Sequence, residues 1–177
     1  MINKVYFNKD SLNKIKQIIN SEGSIQLYDF LEENAFNKLF SDLKKTKFKK
    51  YFIPKLGSYS YSNFNSKIFS EFLTNLLRVK IKNCIIYSFK HRDYTLMSDS
   101  KFENNGFKVV FEITDNWNQE AGGYHSFIKN SEEVFRLNFI RNSLTIIKTD
   151  NKMKSFVKYV NNKAGKNKRY FVELNIY

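Results

Sequence analysis

The sequence predicts an α+β domain, mainly β, in which N-terminal helices pack on a barrel or sandwich of short strands. Before residue 80, three stretches space their apolar residues at helical intervals: 10–19, 31–43 and 67–79. Beyond residue 81, about eight β-rich runs are separated by turn residues: 83–89, 93–97, 107–114, 123–128, 134–139, 143–148, 154–160 and 169–177. Aromatic residues make up 17% of the chain, which favours pleated surfaces. We expect a single domain over residues 1–177, with residues 1–80 as helical support on the larger sheet and 81–177 as the β core.

Local signals predict the N-terminal elements in order. The first helix has a stop at Glu22 and Gly23, and its apolar residues are Leu12, Ile15, Ile18 and Ile19. Residues 24–28 alternate as in a strand, and Asp29 then predicts the cap of a second helix. The apolar face of that helix would consist of Leu31, Phe36, Leu39, Phe40 and Leu43. Residues 59–63 are polar and aromatic without a helical period, and they precede the third helix.

The charge of the chain indicates which kinds of partner it would favour. A formal net charge of +13 favours phosphate-rich partners or acidic protein surfaces. The lysines are spread along the chain, so a solvated surface without a specific role explains them as well. The densest basic runs are 44–50 and 163–169. Lys44–Lys50, together with exposed tyrosines such as Tyr59 and Tyr61, would suit single-stranded nucleic acid.

Cysteine and hydropathy indicate the compartment. The one cysteine, Cys84, excludes an internal disulfide and is best explained as a buried apolar residue. No apolar run approaches the roughly 18–20 residues of a membrane span, and the N-terminus has no secretory apolar region. We expect a cytoplasmic protein without membrane association.

Several segments carry a resemblance to a known family. They are Asp93-Tyr-Thr-Leu96, Trp117 with the Gly122-Gly123 pair, Asn142-Ser-Leu144, and Ser155-Phe-Val-Lys-Tyr-Val160 followed by Arg169. Over residues 24–177 the chain resembles the prolyl 3-hydroxylase group that acts on a small-subunit ribosomal protein, within the iron and 2-oxoglutarate oxygenases. That group carries two barrels, and the resemblance is closest to the second, C-terminal one. It implies a double-stranded β-helix (jelly roll) that binds partners or supports the first barrel without catalysis.

The resemblance also implies where a metal site would lie. His91 and Asp93 have the His-x-Asp spacing of the first two iron ligands, and such a site needs two histidines and a carboxylate. His125, the only other histidine, follows Gly-Gly on a strand and is a possible third ligand or an ordinary half-buried histidine. The third-ligand position itself falls on Val157 or Lys158. Arg169 would bind the distal carboxylate of 2-oxoglutarate.

A second register is also compatible with the sequence. If Asp93-Tyr-Thr-Leu96 matches the turn of the family, the His-x-Asp positions fall near Met97 to Ser100, where no histidine occurs. His91 would then merely precede a strand. In either register a histidine is missing. Asp99, Asp115 and Glu120 could supply carboxylates, but no pattern pairs them as a general acid and base.

Three hypotheses follow for the function. The leading one is an oxygenase-like barrel with an incomplete iron triad and no cofactor, which binds a protein or RNA, associates with itself or joins an active enzyme. The alternative is an active Fe(II)/2-oxoglutarate dioxygenase that uses His91, Asp93 and Arg169, with the third ligand from His125, water or a second chain. The remaining hypothesis is the single-stranded nucleic-acid binder.

Overall fold

A computed structural model describes residues 1–97 and 106–176, with three helices in the N-terminal half. They are α1 Lys9–Glu22, α2 Glu33–Leu43 and α3 Lys67–Leu77. Helix α1 begins where the side chain of Asn8 accepts a hydrogen bond from Ser11 N at 2.7 Å, and it ends at Gly23 with a φ of 77°. This left-handed residue is the usual end of a helix, so the predicted stop is confirmed.

The predicted start of the second helix is wrong. Helix α2 begins at Glu33, and Asp29 lies four residues earlier with a φ of 45°. Leu31 forms an isolated bridge with Ile2 and is not part of the helix. Asp29 turns the chain so that Phe30 N can donate to Asn142 O at 2.8 Å, a contact that local sequence does not reveal.

Eleven antiparallel strands form two sheets in the described residues. Their bounds are β1 Ser24–Leu27, β2 Lys49–Ile53, β3 Gly57–Asn63, β4 Ile81–Phe89, β5 Tyr94–Thr95, β6 Gly106–Glu112, β7 His125–Lys129, β8 Glu132–Arg136, β9 Ser143–Thr149, β10 Met153–Val157 and β11 Arg169–Ile176. The larger sheet has the order β1-β9-β6-β11-β4-β3-β2, with β5 paired to β3, and the smaller has the order β10-β7-β8. The eight predicted runs correspond to β4–β11. The segment expected to be helical support also supplies β1, β2 and β3.

Two apolar clusters lie on opposite faces of the larger sheet. On the outer face the three helices cover the sheet through a group of rings that includes Phe30, Phe69, Phe72 and Phe111. Between the two sheets lies a second cluster, built around Phe89, Phe127 and Phe171. The predicted fold, a mainly β jelly roll with N-terminal helices on the larger sheet, is confirmed.

Asn142 joins the N-terminal segment to the sheet. Its side chain accepts from Leu31 N at 2.9 Å and donates to Leu31 O at 2.7 Å, while its own N donates to Glu112 O at 3.0 Å. Asn142 is 1% exposed, and its φ of 55° is one that asparagine tolerates better than most residues. The contact fixes the segment before α2 against the strand pair β6–β9.

Two further expectations concern the burial of Cys84 and the length and apolar character of the helices. Cys84 is buried as predicted, and this burial raises the pKa of its thiol to about 12, so it behaves as an apolar side chain. None of the helices in the described parts of the chain combines the length and the apolar character that a membrane crossing requires.

Candidate functional site

His91 and Asp93 lie in the tight turn that leads from β4 into β5. Asp93 is 4% exposed, and both of its carboxylate oxygens are used. Oδ1 accepts from Ser58 Oγ at 2.7 Å, and Oδ2 accepts from Lys90 N at 3.0 Å. The carboxylate therefore closes the turn and ties it to β3. His91 is half-buried beside it.

Backbone hydrogen bonds hold this turn against the segment after β10. Arg92 N donates to Val160 O at 2.9 Å, and Val160 N donates to Asp93 O at 2.9 Å. Within residues 1–97 and 106–176, no three His, Cys, Asp or Glu side chains form a group that could hold a metal ion. His91, Asp93 and His125 thus do not share a binding point. In the second register Met97 is exposed, and positions 98–100, with Asp99, lie outside the described residues.

His125 begins β7 and points into the space between the sheets. It is 2% exposed, and its ring lies 4.9 Å from Phe127 and 5.8 Å from Phe171. Its Nδ1 has no hydrogen-bond partner among the described residues. Burial, and then the positive charges of Lys108 and Arg169, lower the pKa of His125 well below its usual value. Glu173 Oε1 lies 3.7 Å from Nδ1, beyond hydrogen-bond distance, and the lowered pKa favours the neutral imidazole.

Val157 is one of the two residues on which the resemblance would place the third ligand. Val157 is 3% exposed, belongs to the cluster between the sheets, and is the direct partner of His125 in the β7–β10 pair. Its N donates to Thr95 Oγ1 at 2.7 Å, which fixes the end of β10 against β5. Lys158 is exposed instead. Of the two residues considered for this position, the one in the interior is therefore the apolar one.

Arg169 begins β11, as expected, and lies in the interior, where each of its three side-chain nitrogen atoms already donates a hydrogen bond. The side chain is fully buried, and Nε and Nη2 donate to Glu112 Oε2 at 3.1 and 2.6 Å. Nη1 donates to Gly123 O at 2.5 Å. The guanidinium carbon lies 4.4 Å from the ring centroid of Phe171 and 4.7 Å from that of Phe139. The cation is thus paired and enclosed by protein groups.

Sequence reasoning missed Glu112, the partner of Arg169. It is 3% exposed on β6 and also accepts from Thr114 N at 3.3 Å and from Thr114 Oγ1. A signal was available, because Glu112 is a carboxylate within the apolar run Val109-Val-Phe-Glu-Ile113. A charge placed in such a run requires a buried partner.

The Trp117 and Gly122-Gly123 motif has a structural role in this fold. Trp117 Nε1 donates to Gly122 O at 2.9 Å. Gly122 has a φ of 72°, and a Cβ on it would lie 2.4 Å from Tyr159 O. The glycine therefore lets the chain before β7 approach the segment after β10. This approach places Gly123 O against Arg169.

The tyrosines of the nucleic-acid hypothesis are half-buried, so their predicted exposure is wrong. Tyr59 stacks on Tyr51 at 4.5 Å and contacts Tyr87 and Phe89 at 5.5 and 5.7 Å. Burial is the main cause that raises the pKa of Tyr59 to about 12. Tyr61 is half-buried beside it. These rings complete the wall of the barrel and do not form a free stacking platform.

The remaining candidate carboxylates lie at the surface. Asp115 and Glu120 are exposed. Glu120 forms an ion pair with Lys163, with 2.7 Å between Oε2 and Nζ. Neither of them reaches the interior of the barrel.

Two facing sheets, with helices outside the larger one, define a double-stranded β-helix, the fold of the solved 2-oxoglutarate and iron oxygenases that the chain is similar to. A prolyl hydroxylase from Trichoplax adhaerens, solved in complex with a hypoxia inducible factor oxygen degradation domain peptide fragment, matches with a TM-score of 0.73 and 14% identity over 98% of this chain and 92% of that chain. A 2OG-Fe(II) oxygenase family oxidoreductase from Burkholderia pseudomallei gives 0.71 and 10% identity, over 96% and 92%. A Pseudomonas putida prolyl-4-hydroxylase gives 0.69 and 9% identity, over 93% and 97%. At these identities the likeness concerns the fold alone.

The family itself follows from the sequence match. Residues 53–177 match the profile described as oxoglutarate and iron-dependent oxygenase degradation C-terminal domain, and the chain belongs to this family. The resemblance to the oxygenase superfamily is confirmed. None of the curated proteins matches the chain in sequence.

Proposed function

We propose that this chain is an oxygenase-fold module that does not carry out iron chemistry and instead acts by binding a protein partner. The observation that carries the proposal is the buried pair of Arg169 and Glu112. The carboxylate of Glu112 lies against Arg169, where the resemblance would place the distal carboxylate of 2-oxoglutarate.

The donor set in the described residues does not fit Fe(II). Such a site needs two imidazoles and a carboxylate that face one open point. The carboxylate of Asp93 is bonded to Ser58 and Lys90 within its turn. Opposite His125 stands the isopropyl group of Val157, which has no lone pair to donate. These residues therefore support no reaction at a metal ion.

Binding of a dicarboxylate at Arg169 would require Glu112 to be displaced. The displaced carboxylate of Glu112 would stay buried without its counter-charge, which costs about 3–5 kcal/mol. Even the lower value would weaken binding about 100-fold, since 1.4 kcal/mol corresponds to a factor of ten. A second carboxylate beside Glu112 would add repulsion. The pair thus acts against 2-oxoglutarate binding.

Features of the surface support a protein partner. Four large apolar side chains near β3 and β5 are 41–57% exposed: Ile53, Leu56, Leu96 and Met97. They lie near one another because β3 pairs with β5 and Leu96 N donates to Leu56 O. Clusters of exposed apolar residues often mark contact surfaces. A protein is favoured over RNA because Tyr59 and Tyr61 are half-buried.

An anaerobic titration with Fe(II) and 2-oxoglutarate tests the loss of chemistry. We expect no saturable heat and no metal-to-ligand charge-transfer band, with the same result for the His91→Ala variant as a matched control. A stoichiometric band in the natural chain that disappears in His91→Ala would overturn the proposal.

A second measurement tests the class of partner. Binding of a labelled RNA oligonucleotide is measured at 50 and 200 mM salt. We expect weak binding that reflects the net charge alone and is not saturable with a defined stoichiometry. Tight, stoichiometric RNA binding with a steep decrease in salt would contradict a protein partner.

A further inference from the structure

We infer that the groove between α2 and the segment leading into α3 binds an amphipathic, acidic helix of a protein partner. This inference rests on the proposed function and assigns a partner surface separate from the exposed apolar side chains near β3 and β5. The groove lies on the helix-covered side of the larger sheet, away from the space that contains His125 and Arg169.

The floor of the groove is apolar. A cavity of about 490 Å³ is lined on one side by Ala35, Leu39 and Leu43 and on the other by Phe64 and Ile68. Leu43 is buried, whereas the other four are half-buried and pack against the core through part of their surface. Their remaining surface faces the groove, so an apolar ligand would remove it from water.

The spacing along α2 suits a helix as the occupant. Ala35, Leu39 and Leu43 follow one another at intervals of four residues and form a ridge along one side of α2. Eleven residues at a rise of 1.5 Å give the helix a length of roughly 16 Å, or three turns. A partner helix of similar length can place side chains at positions i, i+3, i+4 and i+7 between the two walls.

The rim of the groove determines the charge of the partner. Lys38 and Lys67 line it and are exposed, while Asp42 is the one acidic side chain among the lining residues of the cavity. Directly after α2 come the exposed residues Lys44 and Lys45, and Lys47 follows them. This excess of positive charge favours acidic side chains on the solvent-facing flanks of the docked helix.

The test is a selection from a displayed library of helical 14-residue peptides on the immobilised full chain. We expect enriched sequences to share apolar residues at i, i+3, i+4 and i+7 and to carry a net negative charge. A synthetic peptide from this pool should bind at least tenfold more weakly to Leu39→Glu, whose new carboxylate faces the apolar floor.

Two further variants keep the result interpretable if Leu39→Glu is poorly folded. Lys38→Glu combined with Lys67→Glu alters exposed residues and should weaken binding about tenfold at 50 mM salt and less at 500 mM salt. Lys166→Glu, an exposed charge change near β11, is the matched control and should bind like the natural chain.

The other outcomes overturn the inference. Peptides that bind Leu39→Glu and the double lysine variant unchanged would show a binding surface elsewhere, so that partner binding stands while the groove is rejected. Basic or extended enriched sequences would contradict the occupant. If dodecanoate binds the groove and no peptide is enriched, the groove is a small-ligand pocket. Iron and 2-oxoglutarate binding by the same sample would reject the proposed function separately.

Discussion

Replacement of Glu112 by Gln tests whether the interior of the barrel depends on the internal ion pair. The substitution keeps the shape of the side chain but leaves the cation of Arg169 without a counter-charge. Both side chains are almost fully buried, at 0% and 4% exposure, so solvent cannot substitute for the lost carboxylate. Three hydrogen bonds of the guanidinium are involved, two to Glu112 and one to Gly123 O.

The expected loss can be estimated from the behaviour of buried pairs. Removing one partner of such a pair lowers the free energy of unfolding by about 3–5 kcal/mol. A domain of this size changes its melting temperature by roughly 2–4 °C for each kcal/mol, so Glu112→Gln should melt about 6–20 °C lower. Natural domains have a free energy of unfolding of about 5–15 kcal/mol, so the expected loss is a large fraction of it.

Urea denaturation followed by far-ultraviolet circular dichroism measures the effect. The control is the double variant Glu112→Leu with Arg169→Met, in which both charges are replaced by apolar groups of similar size. This variant should recover most of the loss, since apolar replacement of a whole buried pair is often neutral. A loss below about 1 kcal/mol for Glu112→Gln, or a double variant as unstable as the single one, would refute the reasoning.

Three further predictions use the same denaturation assay. Gly122→Ala should lower the free energy of unfolding by several kcal/mol, because its Cβ would lie 2.4 Å from Tyr159 O. The control Gly23→Ala has open space around its Cβ and should cost only about 1–2 kcal/mol. Equal losses for the two variants would argue against the close approach at Gly122. His125→Phe should reduce the acid sensitivity of the fold. The pKa of this histidine is lowered in the folded state, so the unfolded chain takes up the proton first as the pH falls. The free energy of unfolding of the natural protein should therefore decrease by up to about 1.4 kcal/mol per pH unit below pH 6.5. Parallel plots of this free energy against pH for the two proteins would exclude the effect. Asn142→Ala should lose about 2–4 kcal/mol, and Asn142→Gly less, because glycine also accepts a φ of 55°; the reverse order would contradict the backbone argument.

Elements with a regular apolar period could be predicted from the sequence. The three helical stretches and the eight runs after residue 81 all form, since their spacing reflects which face is buried. Strand β2 was not predicted because four of its five residues are exposed at the edge of the sheet, including Lys49 and Phe52. Its conformation comes from pairing with β3, and no burial pattern records that pairing.

The site could be predicted only in part. Arg169 was expected to begin the last strand and does so, but its partner Glu112 is 57 residues away and no local pattern connects the two. The spacing of His91 and Asp93 does not distinguish a metal ligand from a carboxylate that closes a turn. Asp29 was wrong as a cap because Phe30, its neighbour, bonds to the distant Asn142.

Trp117 gives this protein an intrinsic optical probe at an informative place. It is the one tryptophan beside 11 tyrosines, so excitation near the red edge of the absorption band addresses a single indole. That indole is half-buried, bonded to Gly122 O and 6.0 Å from Phe139, whose ring also covers Arg169. Emission wavelength and quenching by acrylamide should therefore report opening of the glycine turn separately from melting of the whole chain, without an attached dye.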